Sequence, residues 1–349
     1  MKNIQSGFPA EGWPLAATHD WHVFSANKLS LLRRMKTMNK KIAGAFIVCL
    51  FAMQACQEKK SDIVASIPFE LSGNFIILQV ECNGTLKGQF IFDTGLGRIS
   101  LDSTFASKAG IIPWGDIETS CVNGNRDLPV GKCNIQIGEQ NFISDTSLLI
   151  STKRFTEKAG CKVDGLIGLD LFGENPIRID FQKRLIEVFQ PGFLPDTSGF
   201  QKIQLLDGWM LFTAEIFFQN KTSRRGSFIF DTGANKSVTL FPITDDPILI
   251  ESMLGKLDTI TVRGLCGVDE LRYKGIAKAL TIGNDTLMDI PTMISLKESD
   301  GVPRRFSGLI GMEILLKFDI IIDFPISKLY LKRNGLTQTE ISNISLNAN

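Results

Sequence analysis

Beyond the first 56 residues, short apolar runs alternate with glycine, asparagine and polar breaks. That is the pattern of β-strands joined by tight turns. Ile76-Ile77-Leu78-Gln79-Val80 leads into Asn83-Gly84, and Gln89 to Phe92 runs back, which predicts a hairpin. Leu211 to Phe218 and Ser227 to Phe230 predict a second hairpin around Asn220 to Gly226. Short helices are expected only near Ser103 to Ala109 and after each of two Gly-Leu-Ile-Gly segments. The Pro/Gly-rich stretch Gln190-Pro191-Gly192-Phe193-Leu194-Pro195 marks a joint. The expected class is all-β with two lobes, residues 57–192 and 193–335, followed by a tail, 336–349.

The N-terminal segment has a different texture. Residues 1–34 show no helical or strand periodicity. Met38-Asn39-Lys40-Lys41 is basic, Ile42 to Met53 is a 12-residue apolar run, and Gln57-Glu58-Lys59-Lys60 is polar. A basic start, a short apolar core and a small residue before the cut make a secretory signal. The run is too short to span a membrane, which needs about 20 residues. Translation is expected to begin at Met35 or Met38, with residues 1–34 a gene-start artefact or an unstructured extension. The segment resembles a bacterial lipoprotein signal with Cys56 as the lipidated residue. That resemblance implies removal of the leader (residues 1–56) and a lipid anchor at Cys56. It also implies attachment to the cell envelope, at the outer membrane facing the periplasm or the cell surface.

The rest of the chain is written twice. Phe90-Ile91-Phe92-Asp93-Thr94-Gly95 recurs as Phe228-Ile229-Phe230-Asp231-Thr232-Gly233. Gly165-Leu166-Ile167-Gly168 recurs as Gly308-Leu309-Ile310-Gly311, and Ile179-Asp180-Phe181 as Ile322-Asp323-Phe324. Ile135-Gln136-Ile137-Gly138 and Leu280-Thr281-Ile282-Gly283 lie between the first two signals in each copy. The spacing from Asp to Gly-Leu-Ile-Gly is 72 residues in one copy and 77 in the other. A shared order at nearly shared spacing points to an internal duplication.

Composition narrows the chemistry. Lys plus Arg total 38 and Asp plus Glu 37. The leader holds seven of the bases and two of the acids, so the remainder carries 31 against 35. No field would draw it to nucleic acid. The two histidines, His19 and His22, both precede the signal. Without them, Ser-His-Asp and Cys-His hydrolysis and His-ligated metal sites are excluded. No CxxC, GxxxxGK[ST] or GxGxxG motif occurs, so no metal and no cofactor are expected. Cys82, Cys121, Cys133, Cys161 and Cys266 are odd in number, and Cys121 with Cys133 could close a short hairpin. Arg224-Arg225 and Arg304-Arg305 read as solvated loop charges, and Trp114 and Trp209 as packing residues.

An apolar strand ending in Asp-Thr-Gly sets a carboxylate at a tight turn, and two such turns facing one another would bring Asp93 and Asp231 together. Like charges roughly 3 Å apart cannot both ionise, so one proton is shared. The charged member can take a proton from water while the neutral member protonates a peptide carbonyl.

Over about residues 75–331 these motifs resemble the aspartic proteases: a retroviral-protease-like lobe occurring twice, on a plan similar to pepsin. The resemblance implies two β-barrel lobes with the active site in the cleft between them. Asp93 and Asp231 would be the catalytic pair. Thr94, Gly95, Thr232 and Gly233 would support it, and the two Gly-Leu-Ile-Gly segments would pass behind the loops. It further implies a polypeptide substrate and activity as a monomer, since one chain carries both aspartates. Flap candidates are Cys121 to Pro129 and Arg263 to Asp269. The residue after each Asp-Thr-Gly is Leu96 or Ala234, where pepsin-like enzymes often have a hydroxyl. Losing that donor should raise the pair's pKa and move the optimum to roughly pH 4–6. Two readings compete: an inactive descendant that binds peptide, with Leu96 crowding the pair, and glycoside hydrolysis. The latter needs carboxylates about 5 Å or more apart.

Overall fold

A computed structural model describes residues 62–121, 124–206, 210–242, 244–263, 269–296, 306–337 and 340. The signal segment with Cys56, Trp209, Cys266, Arg304-Arg305 and most of the tail lie outside the described residues.

The described chain is all-β, with its strands in two sheets. In the first half the strands are β1 (Ile63–Ser72), β2 (Phe75–Cys82), β3 (Leu86–Phe92), β4 (Ser100–Asp102) and β5 (Pro113–Cys121). They continue with β6 (Gly124–Ile137), β7 (Gln140–Ile150), β8 (Gly165–Ile167), β9 (Ile177–Asp180) and β10 (Leu185–Phe189). The second half has β11 (Gln201–Gln204), β12 (Leu211–Phe217), β13 (Ser223–Phe230), β14 (Val238–Leu240) and β15 (Asp258–Arg263). It ends with β16 (Asp269–Ile282), β17 (Asp285–Ser295), β18 (Phe306–Ile310), β19 (Phe318–Asp323) and β20 (Lys328–Arg333).

The two halves repeat strand for strand. One runs β2-β3-β8-β4-β7-β6-β5 and the other β12-β13-β18-β14-β17-β16-β15, with β2–β6 and β12–β16 as the extra pairings. β3 is parallel to β8 as β13 is to β18, and β4 is parallel to β7 as β14 is to β17. A strand order this irregular, occurring twice, extends the sequence duplication to topology. The halves join where β9 meets β19, with Ile177 opposite Ile322 and Ile179 opposite Ile320. Ile177 and Ile320 are equivalent positions, as are Ile179 and Ile322, so the pairing is crosswise. That is the mark of a local two-fold relation. The strands β11, β20, β19, β9, β10 and β1 form one continuous run of the larger sheet across the repeat boundary.

The core explains the abundance of phenylalanine. Phe75, Phe90, Phe92, Phe181, Phe212, Phe228, Phe230 and Phe318 have fully buried side chains. Edge-on ring pairs such as Phe92–Phe172 and Phe212–Phe230 lock the approach strands. β1 turns into β2 through Gly73 and Asn74, both at positive φ. Gly73 also packs on the carbonyl of Lys158, where any side chain would collide.

Several expectations change. Beyond α1 (Ser103–Lys108), η1 (Leu169–Phe172) and α4 (Met312–Leu315), two helices were not foreseen: α2 (Lys153–Ala159) and α3 (Pro247–Leu254). The second hairpin turns earlier, so Arg224 lies on β13, half-buried, and donates to the Phe241 carbonyl at 3.0 Å. Trp114 is 60% exposed rather than packed, with its indole N–H donating to the Asp145 carbonyl. A Cys121–Cys133 link is ruled out by register. Cys121 pairs with Gly124 at one end of the β5–β6 hairpin, and Cys133 is nine residues further along β6. That separation is about 30 Å. Cys133 is a free thiol beside the Ser147 hydroxyl, at 3.0 Å.

The glycines of β8 and β18 are steric requirements. A Cβ on Gly308 would overlap the Thr239 carbonyl and stand 3.1 Å from the Leu240 Cα. Gly308→Ala should therefore destabilise the chain by about 2 kcal/mol or more. Gly115→Ala, where a Cβ meets nothing within 4 Å, should stay within about 0.5 kcal/mol. Urea unfolding of the two variants checks the difference.

Candidate active site

Each Asp-Thr-Gly turn is the end of a buried strand held by its own Gly-Leu-Ile-Gly partner. Phe90, Ile91 and Phe92 are completely buried on β3, and Phe228 and Phe230 on β13. Alongside them run Gly165-Leu166-Ile167 and Gly308-Leu309-Ile310. The Asp93 N–H donates to the Ile167 carbonyl at 2.8 Å, and the Asp231 N–H to the Ile310 carbonyl at 3.1 Å. Both aspartates are thus fixed by the last rung of a parallel ladder.

The two turns then grip one another. The Thr94 N–H donates to Thr232 Oγ1 at 2.9 Å, and the Thr232 N–H to Thr94 Oγ1 at 3.1 Å. Thr94 Oγ1 donates to the Phe230 carbonyl and Thr232 Oγ1 to the Phe92 carbonyl, each at 2.8 Å. Every hydroxyl both accepts and donates, and both threonines are buried. A second link runs between Asn235 and the β1–β2 turn. Asn235 Nδ2 donates to the Gly73 carbonyl at 3.1 Å, and Asn74 Nδ2 to the Asn235 carbonyl at 3.3 Å. No motif marked these asparagines, because each bond spans more than 160 residues.

The carboxyl groups of Asp93 and Asp231 come within hydrogen-bonding reach of each other. Gly95 N–H donates to Asp93 Oδ1 and Gly233 N–H to Asp231 Oδ1, both at 2.9 Å. The glycines also make room. A Cβ on Gly95 would stand 3.2 Å from Asp231 Oδ1, and one on Gly233 would overlap the Asp93 carboxyl. Burial pushes Asp93 well above the usual carboxylate range, the charge of Asp231 pushes it further, and the Gly95 N–H opposes both. Burial raises Asp231 to about 6, against the Gly233 N–H, a hydrogen bond from Asp93 and the Ala234 N–H. The pair therefore holds one proton over a wide range near neutrality.

The structure brings together Asp93, Thr94, Gly95, Asp231, Thr232 and Gly233 in one site. Leu96 packs against the apolar cluster of the first half that includes Phe75, Ile91 and Phe155. The flap candidates are the ends of the β5–β6 and β15–β16 hairpins, whose tips, residues 122–123 and 264–268, lie outside the described residues. Among the described residues no group of three or more His, Cys, Asp or Glu could hold a metal, and no helix is long and apolar enough to cross a membrane. No protein-family model matches the chain, and no curated protein matches it.

Two stability measurements probe this site. Thr232→Val leaves the Thr94 N–H and the Phe92 carbonyl buried without their partner and should cost about 3 kcal/mol. Thr232→Ser keeps the hydroxyl and should cost about 1 kcal/mol. Asp231→Asn tests the charge. Asp231 ionises at about 6 in the fold, above the ordinary 3.8, so stability falls as pH rises through that interval. The Asn variant escapes this loss. Its melting temperature should exceed that of the parent at pH 7.5, and the gain should shrink toward pH 4. A gain that does not vary with pH would contradict the assignment.

Proposed function

We propose that the chain is an aspartic-type endopeptidase that hydrolyses extended polypeptides through a water activated by Asp93 and Asp231. The observation that carries this is the pair itself: two buried carboxyls sharing a hydrogen bond, each at the end of a duplicated Asp-Thr-Gly turn. In this reading the two halves are pepsin- or retropepsin-like β-barrel lobes, the substrate lies in the cleft between them, and one chain suffices. Cys56 lipidation and a place on the cell envelope are part of the same proposal.

The division of labour follows from the two environments. Asp231, with the lower pKa, is the ionised member and takes a proton from the attacking water. Asp93 keeps its proton and delivers it to the carbonyl oxygen, so the tetrahedral diol forms without a free oxyanion. Collapse returns a proton to the departing amine, and the pair is left singly protonated again. The buried threonine network keeps both carboxyls in place through the cycle. An inactive peptide-binding descendant is the second reading, favoured by Leu96. The packing of Leu96 into the apolar cluster of the first half gives that side chain a structural use of its own.

The proposal is tested with quenched-fluorescent peptides. Asp93→Asn and Asp231→Asn should each lower cleavage by about a thousandfold, and a statine-type mimic should block the parent. Peptide binding without turnover in the parent would favour the second reading. Activity should rise with pH through a limb near 6, where Asp231 loses its proton, which is later than the residue after each Asp-Thr-Gly alone implies. Activity per molecule should not fall on dilution, because both aspartates belong to one chain.

A further inference from the structure

Four cations from three separate stretches of chain converge on one side of the aspartate pair. Arg154 and Lys158 are on α2, Lys236 is five residues beyond Asp231, and Arg272 is on β16. The backbone contacts that gather them are specific. Ser72 Oγ donates to the Ala159 carbonyl at 2.7 Å, which ties the end of α2 to the β1–β2 turn. The same turn packs on the Lys158 carbonyl through Gly73 and receives Asn235 Nδ2 on the Gly73 carbonyl at 3.1 Å. Lys158 and Lys236 thus flank a single turn, close to the second Asp-Thr-Gly. The Lys158 ammonium is held below the usual lysine range by burial and then by Arg154, Arg272 and Lys236.

The nearby acids do not balance these charges. Glu270 holds Arg272 through two contacts of 2.8 and 3.2 Å, and both residues are buried. Glu313 reaches Lys236 at 3.8 Å, and it also feels Lys274 and Lys317. Arg154 stacks on the Phe155 ring at 4.4 Å, which fixes its charge at the helix surface. Lys158 is exposed, and the Lys236 side chain is 55% exposed. These two can meet a solute anion, while Arg272 supplies field from behind.

We infer that Lys158 and Lys236 form a subsite for a carboxylate of the bound polypeptide, so that the chain prefers substrates with an acidic residue on this side of the scissile bond. The inference rests on the endopeptidase reading for its substrate, but its contacts are independent of the chemistry. Like charges drawn together across two halves repel one another, and an anion between them relieves that repulsion. In an extended peptide each residue advances about 3.3 Å, so a side chain a few residues from the scissile bond is of the right reach.

Binding to the full-length Asp231→Asn chain separates the two ideas. Fluorescence anisotropy is read for labelled octapeptides that carry Glu or Gln at each position in turn. One set has an amidated C-terminus and another a free one. At one position, or two neighbouring ones, Glu should bind about tenfold tighter than Gln, and added salt should shrink the ratio. A preference seen only with the free terminus would assign the subsite to a terminal carboxylate instead of a side chain. Lys158→Ala with Lys236→Ala should bring the ratio close to one. Lys158→Glu should turn the preference toward Lys. Lys108→Ala, at the end of α1, should leave the ratio as it was. Equal binding of Glu and Gln peptides everywhere, or a ratio indifferent to both lysines, would overturn the subsite while leaving cleavage by the parent untouched. Failure of the parent to cleave, with the Glu preference intact, would instead overturn the endopeptidase reading alone.

Discussion

The exchange of hydroxyl bonds between Thr94 and Thr232 is the constraint on which the rest of the structure depends. Each threonine satisfies a backbone N–H and a backbone carbonyl of the opposite half, all in a buried setting. Either half alone would leave its own turn with unpaired polar groups, each worth about 1–3 kcal/mol when buried. The halves are therefore not free to separate at this point. Since each aspartate precedes a threonine, closing the network forces two carboxyls against one another.

That contact works against the fold. Burial and like charge raise both acids, so the fold at neutral pH retains a proton that the unfolded chain would release. What offsets the cost lies behind the turns. The phenylalanine-rich approach strands, the parallel ladder to each Gly-Leu-Ile-Gly and the crosswise joint of β9 with β19 are all buried. A strained, charged centre inside an over-determined apolar frame is the usual way for a site to stay preorganised.

Much of this was legible in the chain. Asp-Thr-Gly, Gly-Leu-Ile-Gly and the Asn83-Gly84 hairpin are local signals, and their recurrence exposed the duplication. α3 had a start signal in Asp246 followed by Pro247, and Asp246 does cap the helix, accepting from the Ile248 N–H at 2.9 Å. α2 had none: it spans seven residues, and Thr152 makes no side-chain cap bond. Cys121 and Cys133 looked close in sequence, but an extended strand carries them apart. Trp114 and Arg224 exchanged their expected places because burial on a strand depends on which face is covered, and period alone cannot tell that. The Asn74–Asn235 link and the four-cation cluster join segments far apart in the chain, and only the fold puts them together.

Duplication within one chain also permits what a symmetric pair of identical halves cannot do. Two identical carboxyls would share a proton evenly, and neither would have a settled part in the chemistry. Here the turns differ in their next residue, Leu96 against Ala234. Leu96 is packed into the apolar cluster of its half, whereas the Ala234 N–H counts among the groups that pull Asp231 down. Asp93 lies higher and Asp231 lower as a result of their surroundings. If the pair works as proposed, that offset selects Asp231 as base and Asp93 as acid before any substrate arrives. The cation cluster follows the same logic: Lys236 sits beside the second turn, facing an α2 side chain of the first half. A two-fold framework with unequal surroundings gives the bound chain a direction as well as a place.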